Sequence, residues 1–135
     1  LVSMALIASY QDIRYRKIPN KVVIAIAFIG GLFVCLNGYF YHIFTSLIVL
    51  AIGTVLFQIK VLAAGDSKLF AAFSLMIAPK YMLITMCFIL LAGGVLAISQ
   101  WTISKVMKRI EWMTKGVPYA VPICLGSLLG IAASL

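Results

Sequence analysis

Negative charge is almost missing from this chain: Asp12, Asp66 and Glu111 are all of it across 135 residues. A membrane phosphotransferase that holds its metal and phosphates on carboxylates needs more ligands than these. Histidine is scarcer still. His42 stands alone after Asn-Gly-Tyr-Phe-Tyr, and without a second ligand it reads as an interfacial histidine beside an aromatic belt. The three cysteines, Cys35, Cys87 and Cys124, fall singly in separate apolar segments with no Cys-x-x-Cys. That spacing supports neither a zinc site nor a thioredoxin-like motif, and the three are expected to be small buried hydrophobes. No internal repeat, linker or soluble domain is visible, so residues 1–135 read as one domain.

Apolar residues fill the space that charge leaves. They make up 64% of the chain, with a mean hydropathy of +1.17, against roughly 45–50% in ordinary soluble domains. So short a water-soluble chain has no core large enough for that much apolar surface. The long runs also lack the alternation of a barrel strand. The fold class is therefore an all-α integral membrane protein. The first run lacks a basic stretch ahead of it and does not resemble a cleavable signal peptide.

Apolar runs bounded by charge or turn residues cover 1–11, 21–37, 42–59, 61–79, 81–104 and 119–135. A spanning helix needs about 20 residues. These runs predict a bundle of six transmembrane helices. The first is short and begins at Leu1, so further residues of that helix are expected upstream. Gly30-Gly31, Gly93-Gly94 and Gly126 with Gly130 offer small faces for close helix packing.

The basic residues give an orientation. Arg14, Arg16, Lys17, Lys21, Lys60, Lys68, Lys105, Lys108, Arg109 and Lys115 fall on one side of the predicted bundle, and Lys80 alone on the other. The positive-inside rule places the larger set in the cytoplasm, with both termini outside. For a membrane chain a net charge of +8 is thus an orientation signal and a match to anionic headgroups; nucleic acid is not an expected partner. Residues 105–116 read as an amphipathic surface stretch with Val106, Ile110 and Met113 on one face, and Glu111 pairs there with Lys108 and Lys115. Asp12 and Asp66 both fall on the basic side. Asp66 precedes Pro79 by 13 residues, about 20 Å of continuous helix. Against a core about 30 Å thick, that sets Asp66 roughly 10 Å below the inner boundary.

Each aspartate alone has a plain explanation: Asp66 as a helix N-cap, Asp12 as a partner of Arg16. Together they point elsewhere, because an ionisable residue at membrane depth is costly and marks function. Two carboxyls facing one cavity suit aspartic protease chemistry. One ionised member activates water, and the other keeps a proton for the carbonyl oxygen. Sequence does not say which is which.

Asp12-Ile-Arg-Tyr-Arg-Lys-Ile-Pro-Asn20 resembles the first catalytic motif of type IV prepilin peptidases, and Ala63-Ala64-Gly65-Asp66-Ser67-Lys68-Leu69 is similar to their Gly-x-Gly-Asp-x-Lys-Leu. Pro118-Tyr119-Ala120-Val121-Pro122-Ile123 resembles the start of the family's last helix. The resemblance implies a GxGD-type aspartic membrane protease that removes the short basic leader of prepilin-like precursors at the cytoplasmic face. It implies catalytic roles for Asp12 and Asp66 and no cofactor or metal. Without a cysteine-pair domain, the chain resembles the short peptidase-only form of Flp or tight-adherence pilus systems, or archaeal preflagellin peptidases. One departure stands out: Ala63 occupies the place of the first glycine, and alanine resists positive φ.

Around the pair, Gly65 belongs to the motif, and Lys68 is expected near Asp66, favouring its ionised form. Lys68 or Arg14 is expected to meet a carboxylate in the substrate, and Asn20 to cap the second helix. The alternative function is a small proton- or cation-coupled transporter with the aspartates as carriers. That reading calls for an inverted repeat and a site near the midplane.

Overall fold

The computed structural model of the chain describes residues 1–15, 17–59, 62–107 and 119–134. Among them are six helices and no strand: α1 Val2–Tyr15, α2 Asn20–Asn37, α3 Tyr41–Gln58, α4 Ala64–Ser74, α5 Pro79–Met107 and α6 Ala120–Ser134. Three, α2, α3 and residues 79–103 of α5, are long and apolar enough to cross a membrane. At 15 residues, α6 is apolar but shorter, and α1 has 14. The expected fourth span is corrected. α4 has only 11 residues, about 16 Å of rise. A turn at 75–78 separates it from Pro79, the first residue of α5. The depth estimate for Asp66 assumed one straight helix to Pro79, so it does not hold. The amphipathic stretch beyond Met107 and the Glu111 pairs lie outside the described residues.

The distribution of side chains is that of a membrane bundle. Large apolar residues face outward, among them Leu36 at 78% exposed, Leu83 at 75% and Phe44 at 70%. The interior mixes Ile26, Leu69, Phe73, Ile77 and Ile123 with small and polar residues such as Ala5, Ala8, Ser67, Ser74 and Ser127. Small residues let helices approach closely where lipid tails supply no hydrophobic drive. Gly30 faces Leu75 and Ala72, Gly126 faces Ile89, and Gly130 faces Thr85, whereas Gly31 and Gly94 open to free space. Each Gly-Gly pair thus has one packing member. Cys124 is buried as expected, but Cys35 and Cys87 are exposed on the apolar outer surface. A thiol is small and apolar enough for either setting.

α4 is the centre of the bundle, packed on α2, α3 and α6, while α1 packs on α6 and α2. Its last carbonyls, which a helix leaves unpaired, are met from α3. The Ser46 hydroxyl donates to Ala71 O (2.7 Å), and His42 Nδ1 lies 3.0 Å from Leu75 O. His42 does sit among aromatics, stacked on Tyr39 and edge-on to Tyr41. It is nevertheless buried, and its contact with α4 gives it a structural part that its neighbours in sequence do not reveal. At the same end, Ala78 N–H donates to Ser134 Oγ (2.9 Å), tying the start of α5 to the end of α6.

Candidate active site

The other end of the bundle gathers the last turn of α1 and the first turns of α2, α4 and α6. Asp12, three residues before the end of α1, faces inward and is 7% exposed. Asp66, the third residue of α4, is 4% exposed. It is not the N-cap of its helix. Ala63 has that place, with φ −77° and ψ 149° and no side-chain capping bond. Those angles are ordinary extended backbone, so alanine stands without strain where the motif has glycine. Gly65 is likewise unstrained. A Cβ there would lie 3.4 Å from Ile18, so the Ile-Pro-Asn stretch that follows Asp12 rests against the turn that carries Asp66.

Two bonds fix that turn. The Ser67 hydroxyl donates to Gly53 O of α3 (3.0 Å) and lies 3.3 Å from Ala63 O. A Cβ at Gly53 would come within 2.7 Å of Ser67 Cβ, so α3 and α4 meet here without room for a methyl group. α2 begins with Pro19 as its N-cap and Asn20 as its first helical residue, with no side-chain capping bond. The expected Asn20 cap is therefore corrected by one position. Proline's fixed φ sets the chain's approach without a polar side chain.

The two carboxyls act on one another. α4 is not among the candidate spans, and within it burial, chiefly, and the facing Asp12 charge push the Asp66 carboxyl up to about 7 from an ordinary 3.8. A backbone hydrogen bond at Ala63 opposes the shift. Like charges close together in a buried setting resist double ionisation. Asp12 has a second partner from far along the chain: Ala120 N–H, at the start of α6, donates to its Oδ2 (3.1 Å). The Cys124 thiol, one turn further, senses both aspartates and is hydrogen-bonded to Ser9 of α1.

Other expected site residues lie apart. Arg14 is exposed, hydrogen-bonded to the Tyr10 hydroxyl (2.5 Å) and set over the Tyr10 and Tyr15 rings. Lys68 is exposed on α4, and the charge that acts on Asp66 is Asp12's, not that of Lys68. Arg16, the expected local partner of Asp12, lies outside the described residues. Ala120, Ser67, Ser9 and Cys124 were not expected from the sequence to take part in the site. Backbone amides have no residue signature, and a lone serine or cysteine in an apolar run looks like filler. The Pro-Tyr-Ala stretch was the one available hint.

Neither a search of curated proteins nor one of solved structures finds a match. A match to the type IV leader peptidase family covers residues 1–98, and with it both aspartates and both motifs. By that match over most of its length, the chain belongs to the type IV leader peptidase family.

Proposed function

We propose that this chain is an aspartic endopeptidase that cleaves the short basic leader from prepilin-like precursors, with Asp12 and Asp66 as its catalytic pair. Membership of a leader peptidase family supports peptidase activity on such precursors. The observation that supports the mechanism is the burial of two aspartates from different helices at one end of the bundle, where the charge of Asp12 acts on Asp66. One carboxylate takes a proton from water as the water oxygen bonds to the scissile carbonyl carbon. The protonated partner gives its proton to the carbonyl oxygen. On collapse the C–N bond breaks, the leaving nitrogen receives a proton, and the pair regains its shared proton. No metal or cofactor takes part.

The setting follows from charge and hydropathy. Residues 1–135 act as one transmembrane peptidase domain in the cytoplasmic membrane, both termini outside, with the aspartate end facing the cytoplasm. Lys17, Lys21, Lys68 and Lys105 belong to that end by their places at helix termini, and Lys80 to the other. The positive-inside rule supports this orientation, and anionic headgroups are the partners of the basic end. The family match lends nothing to the transporter alternative.

Co-expression of a prepilin-like precursor with wild type, Asp12→Asn or Asp66→Asn tests the proposal. Processing is expected to fall about 100- to 10,000-fold in each variant, the usual worth of a general acid or base. Wild-type processing by either variant would rule out the paired mechanism.

A further inference from the structure

The family match ends at residue 98, yet the site does not. Ala120 is wholly buried, opens the 15-residue α6, and its N–H donates to Asp12 Oδ2 at 3.1 Å. The first turn of a helix presents amides without intrahelical partners and the positive end of the helix dipole. A carboxylate there gains a charge-assisted bond and a fixed orientation. Tyr119, just before it, accepts the Ile123 N–H on its carbonyl (3.2 Å), as an N-cap residue does. Its ring is seated on α5 at Gly93, where an added Cβ would lie 2.5 Å from Tyr119 Cε1. A notch in α5 thus locates Tyr119, Tyr119 locates the start of α6, and the start of α6 holds Asp12.

We propose that the backbone amide of Ala120, placed by Tyr119 in the Gly93 notch, is a positioning group of the active site that aims Asp12 and keeps it as the proton-accepting carboxylate. This rests on the two-aspartate peptidase reading. It assigns the roles that the sequence leaves open: Asp12 takes the proton from water, and Asp66 delivers one to the carbonyl oxygen. On collapse Asp12 returns its proton to the leaving nitrogen, and Asp66 recovers one from the new hydroxyl. Among the described residues, Asp66 from α4 and the Cys124 thiol from α6 are ionisable groups that act with Asp12 here. Lys17 and Lys21, around the start of α2, are exposed.

The test reads the amide itself. Tyr-Ala occurs once in these 135 residues, so carbonyl-labelled tyrosine with nitrogen-labelled alanine leaves a single coupled amide resonance from them. That resonance is expected to titrate with pH in the wild type and to lose its titration and shift upfield in Asp12→Asn. A resonance indifferent to Asp12→Asn overturns the proposal. No substrate enters this measurement, so it is independent of whether the wild type cleaves a precursor. Ala120→Pro supplies the kinetic arm, because it deletes the N–H at a first helical position, where proline is favoured. We expect kcat to fall about 10- to 100-fold with KM unchanged, from loss of one charged hydrogen bond, and the acid limb of the pH profile to move upward. Ala120→Gly retains the N–H, so its kcat and acid limb should depart from the wild type less than those of Ala120→Pro. A folded Ala120→Pro enzyme with wild-type kcat and acid limb counts against the role. If that variant does not fold, the amide resonance decides.

Discussion

Ala120 and Asp12 are 108 positions apart in sequence, yet the amide of one donates to the carboxylate of the other in the bundle interior. The contact closes the chain on itself. α1 packs on α6 and on α2, and both of these pack on α4, whose third residue is Asp66. The aspartate of α1 and the aspartate of α4 are thus brought to one end of the bundle through helices that pack on both, α6 among them. The end of the chain has a part in the site even though its own residues carry no acid.

Asp66 links acidity to stability. Its folded-state value of about 7 lies above the ordinary 3.8, so the folded protein binds that proton more tightly than the unfolded chain. Stability from this group is fully present below about pH 4 and is lost as pH rises toward about 7. Asp66→Asn abolishes this pH dependence. Thermal unfolding in detergent should show the variant gaining on the wild type from acid to neutral pH, with no further gain above. An unchanged difference across that range would count against a raised Asp66 carboxyl.

Gly53 is where α3 meets the turn bearing Asp66. An alanine there places a Cβ 2.7 Å from Ser67 Cβ, and the helices must part to admit it. We expect Gly53→Ala to cost about 1–3 kcal/mol of stability, as overpacking does, and to lower cleavage beyond that loss by shifting Asp66. Gly31→Ala, which meets nothing within 4 Å, should leave both unchanged. Melting and cleavage assays on the two variants make the comparison.

His42 stabilises the far end of α4. Replacement by alanine removes the 3.0 Å contact with Leu75 O and leaves a part-buried carbonyl without this partner, worth about 0.5–1.5 kcal/mol. The cleavage rate per folded molecule should change little, because the aspartates lie at the opposite end of α4. A variant as stable as the wild type, or folded but inactive, would contradict this division.

Membrane sidedness is open to chemical labelling. With Cys35 and Cys87, the exposed cysteines, replaced by alanine, cysteines introduced at Lys17 and at Lys80 should differ in access. An impermeant thiol reagent added to intact cells should label position 80 and spare position 17. The reverse pattern would invert the proposed orientation.

Much of the fold was legible. Apolar runs broken by charge located the helices, since a segment that buries its backbone in lipid has to satisfy its own hydrogen bonds. α2, α3 and α5 fall within a few residues of the expected runs. The fourth run misled because its apolar residues continue through Met76–Ala78 while the backbone turns. Hydropathy registers burial, and burial inside protein looks the same as burial in lipid. Ala63 raised a concern about backbone strain that its φ of −77° removes.

The sequence by itself determined the membrane class, the paucity of acids and the two motifs around Asp12 and Asp66, because each rests on residue type and local spacing. Tertiary structure decided the rest. It brought the carboxyls into one electrostatic neighbourhood, turned Arg14 and Lys68 outward, and set the Ala120 amide on Asp12. These depend on which helix faces pack together, and every residue has the same backbone N–H until packing gives one of them a carboxylate.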